Sequence, residues 1–284
     1  MRAKKIVLAS IIMMAVSFLV ISSVAVLAES KFEEVLDRGH VQIGVSSTFP
    51  PFGFKEKGEL KGFDIDIGHA IAEQLFGDRN AVEFVPEEPA ARIPNLLGDK
   101  VDVVIQAMSV TAPRAKKAEF TLPYYESWIA MMSLIDSPYK TLEDLAGKKV
   151  SMMRNVYAED LIHQAVPTAT VVETDTITSS VFACESGRVA AVYLDWPTIE
   201  YVMKKRPGKF QVIPGKFSPQ NFAMAVKPGN YRWLQWLNTF VQELTHGTQF
   251  YEVYEPAYVK WFGVEPPNKF LLITDVLEGK PRGE

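Results

Sequence analysis

Apolar and polar positions follow two periods along most of the chain, and together they predict strands interleaved with helices. HVQIGV (40–45) reads as a strand. FDIDIGHAIAEQLF (63–76) reads as an amphipathic helix with Ile65, Ile67, Ala70, Ile71 and Leu75 on one face. VEFVP (82–86) and VDVVIQA (101–107) read as further strands, with a short helix around 90–97 between them. Strands that alternate with helices imply parallel sheet and an α/β layered fold.

The pattern restarts after residue 140. TLEDLAG (141–147) predicts a short helix capped by Thr141 and ended by Gly147. KKVSMM (148–153) predicts a strand and 157–166 a helix. TATVVET (168–174), VAAVYLD (189–195) and FQVIPG (210–215) add strands with helices between them. This is a second α/β unit and not a sequence repeat of the first. A last strand, NFAMAVK (221–227), precedes two helices over 231–246 and 249–262. Their aromatic and leucine stripes sit at helical spacing, which points to packed core. The Pro-rich tail from Glu265 is expected to wrap the surface.

The first 28 residues stand apart. Arg2, Lys4 and Lys5 precede an apolar run from Ile6 to Leu27, and Val26-Leu27-Ala28 offers small residues for cleavage. That is the anatomy of a secretory signal peptide cleaved near Ala28. The run is long enough to span a bilayer, so an uncleaved anchor is the alternative; the small residues at its far end favour the signal peptide. No cysteine lies there to carry a lipid.

Removing residues 1–28 takes away three positive charges and no negative ones, moving the net charge from −4 to −7. An acidic chain of this kind is a poor partner for nucleic-acid phosphates. The one cysteine, Cys184, permits no intramolecular disulfide. Flanked by Val181-Phe182-Ala183 and by acidic Glu185, it reads as a small buried residue. His40, His69, His163 and His246 are scattered, with no pair at metal-ligand spacing. Asp64/Asp66 and Glu87/Glu88 read as solvated acidic faces.

The strongest chemical signal is VDVVIQAMSVTAPRAKKAEFTLPYY (101–125). A buried strand runs into Ser109 and Thr111, and Pro113 suits the start of a helix. Open α/β sheets bind ligands at the carboxyl ends of their strands. Two hydroxyls, the following amides and the forked guanidinium of Arg114 together suit a carboxylate. A helix cap followed by a solvated arginine is an equal reading of the spacing alone.

These segments resemble the periplasmic polar-amino-acid binding proteins of ABC importers (family 3). The resemblance begins at VQIGVSSTFPPFGF (41–54) and continues through GELKGFDIDIGHAIAEQL (58–75) and RIPNLLGDKVDVVIQAMSVTAPRAKKAEFTLPYY (92–125). It reappears at ESGRVAAVYLD (185–195) and AMAVKPGN (223–230). It implies a two-lobed Venus flytrap with two hinge crossings, near 126–131 and 219–224. Lobe 1 would then hold 29–127 and 223–284, and lobe 2 would hold 128–222.

By that resemblance Arg114 grips a ligand α-carboxylate, Ser109 binds the same head group, and the Ala107 carbonyl accepts from the ammonium. Asp195, on the second lobe, pairs with the ammonium. Phe49 covers the ligand side chain with Phe52 behind it, Arg92 faces that side chain, and Trp128 is the aromatic near the hinge. The family usually carries Gly-Thr-Thr/Ser after the first strand of lobe 2, where this chain has Arg154-Asn155-Val156-Tyr157. Tyr157 is therefore a candidate to fill part of the pocket. Arg154 either faces the cleft or is solvated. Arg92 and Arg154 both facing inward would call for extra negative charge on the ligand.

The implied partners are an amino acid or small carboxylate and a membrane permease, with the chain a periplasmic monomer without cofactor. One rival on the same fold is a cyclohexadienyl-dehydratase-like enzyme. Its glutamate would fall at Ala158, with Glu159 one step away. The other is a sensory or accessory binding protein that serves no importer.

Overall fold

A computed structural model describes residues 30–154, 158–215 and 219–266. Residues 1–29, which include the expected signal peptide, residues 155–157 and 216–218, and residues 267–284 lie outside the described residues. Among the described residues, no helix is long and apolar enough to cross a membrane.

The chain opens with α1 (Lys31–Arg38), β1 (Val41–Val45) and a small antiparallel sheet of β2 (Thr48–Phe49), β3 (Gly53–Glu56) and β4 (Glu59–Lys61). Then come α2 (Phe63–Phe76), β5 (Val82–Pro86), α3 (Arg92–Leu97), β6 (Val103–Val104) and α4 (Ala112–Ala115). A long strand, β7 (Glu119–Leu134), leads to β8 (Lys149–Met153), α5 (Ala158–Ala165), β9 (Thr170–Thr174), α6 (Ile177–Glu185) and β10 (Ala191–Asp195). The remainder is α7 (Trp196–Lys205), β11 (Phe210–Ile213), β12 (Pro219–Val226), α8 (Tyr231–His246) and α9 (Glu255–Phe262).

β7 is the spine of a two-lobed fold. Its first part pairs antiparallel with β12, ending at Trp128↔Pro219. From Ile129 onward it pairs instead with β10 on one side and β11 on the other. Strand order therefore runs β5-β1-β6-β12-β7 in the first lobe and continues β7-β10-β8-β9 in the second. β1 is parallel to both neighbours, as is β8. The two crossings are hydrogen-bonded to each other through Tyr125–Trp128 and Pro219–Phe222.

Most elements follow the apolar periodicity because each buries one face. α2 covers the expected span, with Ile65, Ile67, Ala70 and Ile71 buried. Four expectations change. The strand read over 101–107 is a strand only at Val103–Val104, flanked by bonds from the Asp102 and Ile105 amides to Gln42 O and Gly44 O at 2.9 Å; Ala107 leaves the extended region at φ +43°, although Val101–Met108 are all buried. TLEDLAG forms a 3₁₀ turn at Glu143–Leu145, held by Asp144 accepting from the Lys140 and Thr141 amides at 2.8 Å. The helix read over 249–262 divides into a π-helical turn, Phe250–Tyr254, and α9; Pro256, which cannot donate an amide, sits in the first turn of α9. Finally, Asp64 and Glu87 are buried, not solvated.

Candidate functional site: a crevice between the lobes

The crevice is lined from the first lobe by Phe49, Arg92, Ala107, Ser109 and Arg114, and from the second by Asp195. It holds about 630 Å³ of space not filled by protein, part of it continuous with solvent.

Phe49 is aimed by the loop that joins β2 to β3. That loop is tied to the start of α2, where the Phe63 amide donates to Pro51 O at 3.0 Å and the Asp64 amide to Phe52 O at 2.9 Å. Gly62 makes the approach possible: at φ +141°, an added Cβ would lie 1.9 Å from Phe52 O. Phe52 is fully buried behind Phe49, stacked at 5.7 Å, and supports it without lining the crevice.

Ala107 follows β6 in a left-handed conformation that alanine seldom adopts. Its amide donates to Asp64 Oδ2 at 3.0 Å and to the Tyr124 hydroxyl at 3.1 Å, and that hydroxyl donates to Asp64 Oδ1 at 2.8 Å. Burial pushes the Asp64 carboxyl up to about 7, against the pull of these bonds and of Arg92. A buried network so fully bonded can fix the Ala107 peptide at the crevice wall.

Arg114 lies on α4, where Thr111 is the N-cap and accepts from the Arg114 amide at 3.4 Å. Its guanidinium donates to Ser109 O at 2.8 Å, which orients the fork. Cap and inward-facing arginine therefore coexist. Arg92, at the start of α3, is buried and donates through Nε to Gln106 Oε1; Gln106 in turn donates to Glu87 O at 2.8 Å. Burial, and then repulsion from Arg114, lower the Arg92 guanidinium to about 10.

Asp195 ends β10 opposite Ile129 and occupies the N-cap position of α7, but its side chain makes no capping bond. Its carboxyl lines the crevice instead. The residue keeps some surface, yet that surface faces a narrow crevice walled by protein. Burial raises its carboxyl to about 7; its own amide, Arg92 and Arg114 pull the other way.

Trp128 does not line the crevice. It stacks on Trp196 at 5.2 Å beside the crossing. Arg154 is exposed and paired with Glu173 at 3.1 Å and Asp175 at 3.6 Å, which resolves it as a solvated residue. Tyr157 lies outside the described residues.

Sequence reading missed the second lobe's apolar wall of Met152, Met153, Leu161 and Ile177, together with Gln220 at the hinge. The methionines end β8, so the rule that ligands sit at strand carboxyl ends pointed there. The lobes also touch. Thr198 Oγ1 donates to Pro50 O at 3.2 Å, Lys204 Nζ to Phe262 O at 2.5 Å, and Phe54 meets Tyr201 edge-on at 5.6 Å. All three second-lobe groups stand on α7, the helix that Asp195 begins.

Among the described residues no group of three or more histidine, cysteine or acidic side chains could hold a metal ion. Cys184 is buried, and burial raises its thiol to about 11.

A model of the bacterial extracellular solute-binding proteins, family 3, matches residues 41–264. The ABC transporter glutamine-binding protein GlnH of Bacillus subtilis is 27% identical over 235 residues, covering 82% of this chain and 84% of that protein. The structure of a solute receptor for L-cysteine from Neisseria gonorrhoeae superposes with a TM-score of 0.76 at 26% identity, covering 83% of this chain and 97% of the receptor. The ancestral amino acid-binding protein AncCDT-1, a precursor of cyclohexadienyl dehydratase, superposes with a TM-score of 0.72 at 29% identity, covering 82% and 99%.

Proposed function

The chain belongs to the bacterial extracellular solute-binding proteins, family 3, and from that premise we propose that it captures an amino acid between its lobes and hands it to an ABC permease. One observation carries this reading. Two guanidinium groups on one lobe and a carboxylate on the other line the same crevice.

A zwitterion that enters a closing crevice loses water from both charged ends, so each end needs a charged, hydrogen-bonding partner. Arg114, oriented by Ser109, takes the α-carboxylate. Asp195 and the Ala107 carbonyl take the ammonium. Phe49, backed by Phe52, covers the side chain. Ligand thus joins the lobes, with residues 29–127 and 223–284 as one jaw and 128–222 as the other. The chain acts in the periplasm as a monomer after cleavage near Ala28.

Catalysis is the weaker reading. Glu159, the nearest acid to the dehydratase position, is exposed on α5 and does not line the crevice. Incubation with prephenate or arogenate should therefore yield no aromatic product.

A thermal-shift screen of the twenty amino acids and common carboxylic acids identifies the ligand, and calorimetry on variants tests the roles. Arg114→Ala should weaken binding at least tenfold, about 1.4 kcal/mol or more. Asp195→Ala should weaken amino acids and spare ligands that lack an ammonium. Unchanged binding by Arg114→Ala overturns the site, and an Asp195→Ala variant indifferent to every ligand assigns the crevice to dicarboxylates.

A further inference from the structure

Arg92 stands out among the charged groups of the molecule. Its side chain is 6% exposed, yet it borders the crevice beside Arg114. Among the described residues it makes no ion pair, and its side-chain hydrogen bond goes from Nε to the neutral amide of Gln106. The terminal nitrogens of the guanidinium carry four further N–H donors.

The nearest carboxyls do not fill that need. Asp64 is engaged by the Ala107 amide and the Tyr124 hydroxyl, and Glu87 accepts from Asn95 at 2.8 Å. Both lie within electrostatic range of Arg92, and burial raises the carboxyl of each, but neither is hydrogen-bonded to the guanidinium among the described residues. A buried cation without a bonded anion is costly, and here a second cation adds repulsion.

The charges lining the crevice add to the same conclusion. Arg92 and Arg114 against an ionised Asp195 leave one positive charge unmatched. A neutral zwitterion leaves that excess in place, and a cationic amino acid enlarges it. A ligand with one additional anionic group cancels it. The apolar wall of Met152, Met153, Leu161 and Ile177 suits methylene carbons between charged ends. Arg154 has no share in this, being exposed and paired outside the crevice.

We propose that Arg92 is a specificity-determining residue that receives a second carboxylate, so that the ligand is an amino acid with an acidic side chain. The proposal rests on the amino-acid reading above and narrows it.

The test is calorimetry on the mature protein with L-aspartate, L-glutamate, L-asparagine and L-glutamine, near-isosteric pairs that differ in one charge. Wild type should bind an acid at least tenfold tighter than its amide. Arg92→Met, which keeps an unbranched apolar stem, should abolish that preference while still binding the amides; Arg92→Lys should retain part of it. Amides bound as tightly as acids by wild type overturn the proposal without any variant and leave the amino-acid reading intact. An acid preference surviving in folded Arg92→Met overturns it too. Failure of every amino acid to bind removes the amino-acid reading and this proposal with it.

Discussion

The carboxyl of Asp195 titrates near neutrality in the crevice, so binding of an ammonium-bearing ligand should be linked to proton release. Its value of about 7 reflects burial, only partly offset by Arg92 and Arg114. Arg92, at about 10, stays charged between pH 5 and 8, whereas Asp64, behind the crevice wall, also titrates near 7. An incoming ammonium stabilises the ionised carboxylate and drives its bound-state value down. Affinity should therefore rise with pH up to about 7 and then level off. At pH 5 the protonated form prevails, and restoring the charge costs about 3 kcal/mol, on the order of a hundredfold in Kd relative to the plateau. At pH 7 about half a proton should be released per ligand bound. Calorimetry in two buffers of different ionisation enthalpy counts that proton directly. Asp195→Asn should bind more weakly with a flattened profile, and Asp64→Asn separates the contribution of the second carboxyl. Equal affinity from pH 5 to 8 would refute the reasoning; a slope that survives in Asp195→Asn would move the titration elsewhere.

The same carboxyls act on folding with a definite sign. Raised native values mean that protonation favours the folded state, so their stabilisation is complete below about 3.8 and is lost as pH rises through about 7. Lowering pH from 8 to 6 should stabilise the ligand-free protein by about 1 kcal/mol per group, read as a rise in Tm that Asp64→Asn and Asp195→Asn each reduce. Thr198→Val removes the interlobe bond to Pro50 O and should weaken ligand affinity about two- to tenfold by calorimetry. Gly62→Ala, with its Cβ 1.9 Å from Phe52 O, should cost about 3 kcal/mol or more in urea unfolding. Gly58→Ala, at φ +88° with nothing within 4 Å, should cost only about 1–2 kcal/mol. The Cys184 thiol should resist Ellman's reagent in the native protein and react once unfolded.

The α/β class and most element spans were legible because burial of one face imposes a period that survives in a single sequence. α2 and α8 run over their predicted residues, each having one side to bury. What escaped was non-local. The family resemblance put a crossing near 126–131, but the apolar pattern of EFTLPYYESWIAMMSL does not mark one continuous strand that changes partners at Ile129, since pairing depends on segments about a hundred residues away. Asp64 read as solvated because an acidic residue in a first helical turn usually is; its burial depends on Ala107 and Tyr124, which arrive from other elements. The polar side of the crevice was more legible than the apolar side. Arginines on short helices that follow strands and an aspartate at a strand end invite a chemical reading, whereas Met152, Leu161 and Ile177 look like core wherever they stand.

The electrostatics also bear on why an empty protein of this design need not remain shut. A carboxyl displaced from 3.8 to about 7 carries a penalty of about 4 kcal/mol when ionised. That penalty arises from burial, and burial of Asp195 depends on α7 resting against the first lobe through Thr198, Tyr201 and Lys204. Separation of the lobes returns water to Asp195 and to both arginines, relieving desolvation and the repulsion between the cations. Three contacts on α7, each worth about 1 kcal/mol, together with protonation of Asp195 hold the empty lobes in contact near pH 7. The relief gained by parting grows as pH rises and the carboxyl ionises. A ligand with matching charges reverses the balance, because it replaces the lost water on both jaws at once and does so only when they meet. Such a difference between two states is the one thermodynamic route by which binding can close a hinge. On this account, affinity and closure draw on the same charged groups, and a substitution at Asp195 that removes its charge should populate the closed form without ligand, seen as a smaller radius of gyration in X-ray scattering. An Asp195→Asn variant whose ligand-free radius equals that of the wild type would break the link between burial of this carboxyl and opening.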